Sequence, residues 1–382
     1  MRSSARSRSG SLSRWANRDN LEESKREALT MDLFSTTALN RVVEELPLNP
    51  AFFLNTFFTT AETSNTEDIK FDSVKGRRLI SPLVSPIVAG KVIREKGYKT
   101  QSLAPAYIKD KRVFKPSGQF KRRAGEKIGG SLSPEQRLAA SIGFAVSEQL
   151  DMWTRRLEVM SAEVLRTGKL VLKGDDYPEQ LVDFGRDAEL SIVLTGTDKW
   201  DNAAVNPLDD IEDWGQMIFD HSSLTCRDVI MASDVWKTIR AKLAGPDSDA
   251  VAKAMRLQID MTAATLESAR ASLGPILITP GIRLVAQFGD YRLWVHADKY
   301  VDPLDNVEKD VLPAGEIVMA SREIEGVRHF GAIMDLKAGI QPRDFFVKSW
   351  EEEDPSVRYI LGQSAPLIAP YRVNGTLGAK VK

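Results

Sequence analysis

The chain has 382 residues, 42% of them hydrophobic, and a formal net charge of -1. That length and apolar share can bury a sizeable core in roughly two or three structural units, and they exclude a disordered protein. No run of eighteen or more apolar residues is present to span a membrane, and the single Cys226 excludes an intrachain disulfide, which points to an intracellular place of folding.

The near-neutral total hides segregated charge. Residues 73–127 hold fifteen Lys and Arg against three acids, a net of +12, whereas residues 175–220 hold thirteen acids against Arg186 and Lys199, a net of -11. On charge alone three readings stay open: solvated faces, a nucleic-acid groove in the basic segment, or basic-to-acidic contacts between copies of the chain. The acidic counterpart favours the third.

In chain order, Arg2, Arg6, Arg8, Arg14 and Arg18 lie among serines with no acid before Asp19. Alone, this stretch resembles a mitochondrial transit peptide, with a disordered basic tail or a start at Met31 as alternatives. A helix is predicted over 36–46, ending before Pro47. Phe52, Phe53, Phe57 and Phe58 then fall within seven positions and must be buried, in the chain's own core or against a neighbouring subunit. From 68 to 127, Pro82, Pro86, Pro105 and Pro116 break any helical period and the apolar residues come in strand-sized groups. A long two-stranded extension is predicted, able to reach roughly 60 Å by strand geometry. An isolated ribbon is marginal in water, so it implies a partner surface.

The longest predicted element covers 133–168. Ser133, Pro134 and Glu135 are helix-start residues, and Leu138, Ile142, Val146, Leu150, Trp153, Leu157, Met160 and Val164 recur at steps of three and four. Gly168 is the expected stop, giving a spine about 50 Å long. Strands follow at 170–172 and 180–184, then an acidic, turn-rich link to Pro207. Helices are predicted at 209–219, 233–243 and 248–273, with Ser233 and Ser248 as N-caps. Strands are predicted at 276–279, 283–288 and 291–297, with Gly289-Asp290 as a two-residue hairpin turn, and again at 345–350 and 357–367. Helices followed by strands suggest a compact α+β domain inserted in the chain.

Catalytic signatures are missing. There is no G-x-x-x-x-G-K-[ST] loop, G-x-G-x-x-G turn or H-E-x-x-H helix, and one cysteine cannot build a thiolate zinc site. His221, His296 and His329 are far apart and expected to be surface or satisfied core residues. Asp220-His221-Ser222 is contiguous, but successive helical residues point in different directions. Gly362 to Pro366 begins like a nucleophile elbow, with Pro366 where the second glycine belongs. The acidic run 351–354 is expected to be solvated rather than to hold a metal. The residues suggest a structural or binding protein, not an enzyme, with no cofactor, metal or catalytic group.

The basic extension carries a family likeness. Val-Ser-Pro-Ile-Val-Ala-Gly-Lys-Val-Ile-Arg at 84–94 and Ala-Pro-Ala-Tyr-Ile-Lys at 104–109 are joined in the same order by the phenylalanine-rich 50–58, Val-Leu-Lys-Gly at 171–174, Asp-Phe-Gly-Arg at 183–186, Pro-Leu-Asp-Asp-Ile-Glu at 207–212 and Gln-Ser-Ala-Pro-Leu at 363–367. Together these blocks resemble the lambda-like major capsid protein E family of tailed bacteriophages. The resemblance implies the α+β Hong Kong-type capsid fold of tailed phages and herpesviruses. It would divide the chain into a basic, disordered extension (1–30), an N-terminal arm (31–67), an extended loop (68–128), a peripheral domain with the spine helix (129–208), an axial domain (209–320) and a return to the peripheral domain (321–382).

On this likeness the chain would self-assemble as hexamers and pentamers into the icosahedral head around double-stranded DNA. It would assemble in the host bacterial cytoplasm and end in the virion of a phage or prophage. The family implies a scaffold protein, a portal and a decoration protein as partners, with no membrane. Expected interface residues are Arg77, Arg78, Lys91, Arg94, Lys96, Tyr107, Lys111 and Arg112 in the extended loop, and Phe52, Phe53, Phe57 and Phe58 in the arm. The complementary acidic patch would hold Asp175, Asp176, Asp209, Asp210, Glu212 and Asp213. Removing 81–110 is expected to spare the fold and abolish shells. The alternative is a basic nucleic-acid-binding protein using 75–127, although Tyr98, Tyr107, Phe114 and Phe120 are too widely spaced for a stacking platform.

Overall fold

The computed structural model describes residues 35–46, 51–65, 68–74, 81, 86–87, 98–103, 105–115, 133–174, 177–246, 249–260, 281–354 and 356–382. They fall into two compact units. The first combines the N-terminal segment to Pro47 with Lys109–Gln149 and Phe345–Gln363, and the second holds Leu48–Ile108, Leu150–Asp344 and Ser364–Lys382.

In the first unit, helix α1 (Thr36–Glu45) starts where Ser35 Oγ accepts from Ala38 N at 3.2 Å and ends at Leu46, whose extended backbone leads into Pro47. A three-stranded sheet runs in the order β16 (Phe346–Glu352), β17 (Val357–Ser364), β4 (Ile108–Phe114). β16 is an edge strand, and Asn40 of α1 covers part of that edge. Its amide donates to Val347 O at 3.0 Å and accepts from Val347 N at 3.1 Å, in place of a further strand.

The long helix α3 (Pro134–Thr167) contributes 134–149 to the first unit and 150–167 to the second. It begins with a reciprocal capping box. Ser133 Oγ accepts from Gln136 N at 3.2 Å while Gln136 Oε1 accepts from Ser133 N at 3.0 Å. The expected apolar stripe is buried from Ile142 through Val146, Leu150, Trp153, Leu157 and Met160 to Val164. Gly168, at φ 69°, ends the helix, and its N–H donates to Val164 O at 2.8 Å. A Cβ there would lie 2.6 Å from Arg186 Cβ. Arg186 crosses this end, donating to Leu165 O at 2.9 Å, Arg166 O at 2.7 Å and Ser191 Oγ at 2.7 Å. A cation on the last carbonyls satisfies orphan acceptors and the negative end of the helix dipole. Burial pulls the Arg186 guanidinium down to about 10, with Arg166 adding to the shift.

The second unit contains a seven-stranded mixed sheet. Its order is β7 (Ser191–Val193), β19 (Thr376–Lys380), β14 (Glu316–Ala320), β8 (Asp228–Ala232), β11 (Tyr291–His296), β10 (Ile282–Phe288) and β9 (Ile259–Asp260). β8 is buried along its whole length, as a central strand covered on both faces must be. It lies parallel to β11 and antiparallel to β14. Helices α4 (Pro207–Ser222), α5 (Ser233–Leu243) and α6 (Ala250–Gln258) belong to the same unit and bury Ile211, Trp214, Ile218, Val235, Trp236, Ile239 and Met255. A smaller sheet joins β1 (Thr60–Thr63), β15 (Gly326–Phe330) and β18 (Pro366–Pro370). Ribbons are formed by β2 (Ile69–Val74) with β3 (Tyr98–Leu103), by β5 (Lys169–Gly174) with β6 (Tyr177–Asp183), and by β12 (Lys299–Val301) with β13 (Glu308–Asp310).

Several expectations change. The sheet recruits β7 and β19, so the 209–320 span does not close on itself. Ser233 is the first helical residue of α5 and Ala232 holds the cap position without a side-chain bond. Asp249 caps α6, accepting from Val251 N at 3.0 Å and Ala252 N at 3.5 Å, and Ser248 lies outside the described residues. That helix stops at Gln258, where Ile259 turns extended to pair with Phe288. Residues 261–280, including the predicted strand 276–279, lie outside the described residues. The single strand predicted at 357–367 is two, because β17 pairs with β16 and β18 pairs with β15 across a break at Ala365.

Candidate inter-subunit surfaces

The phenylalanine cluster has its partners within this chain. α2 (Phe52–Phe57) places Phe52 5.2 Å from the Trp294 ring and 5.7 Å edge-to-face from Phe53, which stacks at 4.9 Å on His296. Phe52, Phe53, Phe57 and Phe58 are at most 2% exposed. This corrects the expectation of an inter-subunit aromatic surface: the packed rings offer no area to another copy. The same segment is fastened to the long helix by Glu158. Its carboxylate accepts from Phe53 N and Leu54 N, each at 2.9 Å, covering two orphan donors at the start of α2. His296 Nε2 lies 3.7 Å from the same carboxylate. Ala51, at the cap position, has no side chain able to do this.

Of the extended-loop residues, Arg77, Arg78, Lys91, Arg94 and Lys96 lie outside the described residues. The base of the loop is the antiparallel β2–β3 ribbon, in register from Ile69 with Leu103 to Val74 with Tyr98. Beyond it, Tyr107 donates its hydroxyl to Ala332 O at 2.6 Å and accepts from Met334 N at 3.0 Å, clamping the turn-rich segment that follows β15. Lys111 and Arg112 point to opposite sides of β4, as neighbours on a strand do. Lys111 Nζ sits 3.8 Å from the Tyr359 ring centroid and 5.3 Å from that of Trp350, two residues paired across β16 and β17. Arg112 pairs with Glu148 at 2.8 Å and Asp110 at 3.3 Å.

The acidic residues are partly committed as well. Asp175 and Asp176 lie outside the described residues. Asp209 and Asp210 occupy the first turn of α4, where acids favour the positive end of the dipole. Asp209 accepts from Asn206 Nδ2 at 2.7 Å. Asp210 accepts from Trp200 Nε1 at 2.7 Å, and burial pushes its carboxyl above the usual range. Glu212 and Asp213 are exposed.

The sequence pattern gave no sign of two polar anchors. Asp228, fully buried at the start of β8, accepts from Arg292 Nη2 at 2.9 Å, Arg322 Nε at 2.7 Å and Trp294 Nε1 at 3.0 Å. His221 lies between Asp187 at 3.1 Å and Glu189 at 3.0 Å. These hydrogen bonds, led by that to Asp187, raise its imidazole above the ordinary value. The contiguous Asp220-His221-Ser222 does not converge: Asp220 accepts from Gln216 and the Ser222 hydroxyl donates to Ile218 O. Ser364 donates to Asp344 O and is fully buried. Among the described residues no group of three or more His, Cys, Asp and Glu could hold a metal ion, and no helix is long and apolar enough to cross a membrane.

The sequence profile of the family described as phage major capsid protein E matches residues 35–381. The chain is 28% identical to the major capsid protein of Enterobacteria phage P21 and 26% identical to that of Escherichia phage lambda, in each case over 88% of this chain and 96% of the relative. Among solved structures, that of a prophage capsid protein of E. coli CFT073 superposes with a TM-score of 0.70 at 21% identity, covering 91% of this chain and 99% of the other. The capsid of Ralstonia phage GP4 superposes with a TM-score of 0.50 at 11% identity, over 88% of this chain and 93% of that one.

Proposed function

Because the chain belongs to the phage major capsid protein E family, we propose that it is the major capsid protein of a tailed bacteriophage or prophage, closing in many copies into the icosahedral head around double-stranded DNA. The fold is the Hong Kong-type fold of tailed-phage capsid proteins. The observation that carries this reading is the unbroken family match across residues 35–381, which takes in both compact units.

The mechanism is assembly. Each subunit would make several modest contacts, so that single contacts open and correct errors while the closed shell holds through their sum. The extended loop, rooted in the β2–β3 ribbon, supplies one reach between subunits. Its basic residues and the exposed acids Glu212 and Asp213 supply an attraction that speeds encounter. A scaffold protein, a portal and a decoration protein complete the head, which assembles in the bacterial cytoplasm and ends in the virion.

Two measurements test this. Negative-stain electron microscopy of the purified chain, alone and with a scaffold protein, is expected to show shells, tubes or free hexamers and pentamers. A monomer under both conditions, binding DNA with a steep salt dependence, would instead favour a nucleic-acid-binding role. Light scattering should show assembly slowing as salt rises from about 50 to 500 mM, because screening weakens the loop-to-acid attraction. A salt-independent rate would remove that attraction from the mechanism.

A further inference from the structure

The β5–β6 hairpin, which follows the long helix at Gly168, has two unlike faces. Leu170, Leu172 and Val182 are buried on one. The other presents Lys169, Val171 and Lys173 along β5 and Glu179, Leu181 and Asp183 along β6. Val171 and Leu181 are direct partners in the register, 38% and 61% exposed. Lys169 Nζ lies 3.0 Å from Asp183 and Lys173 Nζ 3.5 Å from Glu179, with all four side chains roughly half open to solvent. The hairpin is anchored to the helix, since Val171 N donates to Glu163 Oε1 at 3.2 Å and Lys169 N to Thr167 Oγ1 at 3.1 Å.

One strand of this face therefore reads basic, apolar, basic and its neighbour acidic, apolar, acidic. Consider a half-turn about an axis that runs parallel to the strands, above the face and between them. It lays β5 of one copy over β6 of the other at the same height. Lys169 then meets Asp183 of the partner subunit, Val171 meets Leu181 of the partner subunit and Lys173 meets Glu179 of the partner subunit, and each contact occurs twice. A half-turn about an axis across the strands sets lysine on lysine and acid on acid.

We propose that this face docks on the same face of a second copy, across a two-fold axis parallel to its strands. The inference rests on the shell-building reading and assigns one of its contacts. Such an interface is isologous, with one patch serving both sides. Its apolar pair supplies the dry centre, and the charges around it fix the register and penalise crossed or slipped alternatives.

The test uses the full chain under conditions in which the parent assembles. V171C and L181C, prepared separately and mixed before oxidation, are expected to yield a disulfide-linked dimer that neither gives alone; the native Cys226 is buried. K169E/K173E makes the face wholly acidic and E179K/D183K makes it wholly basic. Each alone is expected to assemble about tenfold more slowly at low ionic strength, in the range of electrostatic steering, and an equimolar mixture to regain the parental rate. The altered side chains are exposed, and circular dichroism of each variant verifies that the fold is kept. Absence of the mixed disulfide, equal linkage in the unmixed samples, or a mixture no faster than its components overturns the pairing while shells still form. A parent chain that stays monomeric with and without scaffold overturns the shell reading first, and this one with it.

Discussion

Replacing Glu158 by Gln tests how residues 51–63 are held to the long helix. Both carboxylate oxygens are in use, one on Phe53 N and one on Leu54 N at 2.9 Å, at a site only 4% exposed. Glutamine has the same shape but keeps one acceptor and turns an amide NH2 toward the second N–H. A charge-assisted hydrogen bond contributes about 1.5–3 kcal/mol, and a buried unsatisfied donor costs about 1–3 kcal/mol. The two effects overlap at one site, so E158Q is expected to destabilise the fold by about 3 kcal/mol, and E158A by about 4 kcal/mol because both donors are then orphaned. Urea unfolding measures the total. Hydrogen exchange locates it: if the loss is local, the amides of Phe53 and Leu54 should exchange about a hundredfold faster, since each ~1.4 kcal/mol is a factor of ten. A loss below ~0.5 kcal/mol, the level of an ordinary surface substitution, with both amides as protected as in the parent, would refute the assignment of Glu158 as the anchor.

R186M removes the donors that cover Leu165 O and Arg166 O and is expected to cost about 2–4 kcal/mol in thermal unfolding; R186K should recover only part, because an ammonium cannot span two carbonyls as a planar fork does. Deleting 75–97 and joining Val74 to Tyr98, which face each other in the ribbon register, by two glycines should leave the unfolding midpoint near the parental value and abolish shells; normal shells would exclude the extended loop from assembly. This replaces removal of 81–110, which would also take β3, the start of β4 and the Tyr107 clamp on Ala332 and Met334. His221 is held above its ordinary 6.5 in the folded state, so its ion pairs stabilise fully below about pH 6.5 and that stability is lost as pH rises through the raised value. Between pH 6 and about pH 8.5 the parent's unfolding midpoint should therefore fall by more than that of H221N, and identical profiles would show that the contacts of His221 with Asp187 and Glu189 do not couple to folding.

Elements whose boundaries are written in local chemistry were legible. The long helix is one: Ser133 caps it, an apolar stripe runs along it, and Gly168 at φ 69° stops it, all within the same stretch of chain. The hairpin turn at Gly289 is another, because a residue with φ 52° favours glycine. What the sequence hid depends on partners distant in the chain. Nothing near residue 191 or 376 announces that those short strands pair with each other and extend the sheet built around β8, since pairing across almost two hundred residues leaves no local period. The helix expected to continue to 273 shows the same limit, for Ile259 leaves it to pair with Phe288. The phenylalanines were correctly marked for burial, yet their composition could not say against what. The choice was made by Trp294 and His296, more than two hundred residues away.

The charged surface shows why a count of signs overstates a patch. A segment net of +12 facing one of -11 treats every group as available, but the fold commits many of them first. Arg112 is bound to Glu148, Lys111 rests over Tyr359 and Trp350, Asp210 holds the Trp200 indole, and Arg186 closes the long helix. A charge already partnered within the chain gains little from a second partner, because the new contact must replace the old one and desolvate both groups. The charges best able to act between copies are therefore exposed ones whose internal pairing is weak and can be exchanged at little cost. The half-exposed Lys169–Asp183 and Lys173–Glu179 pairs meet that condition, because a surface ion pair contributes only ~0–1 kcal/mol. Exchanging them for the same pairs across a two-fold costs little, while the Val171–Leu181 centre leaves water.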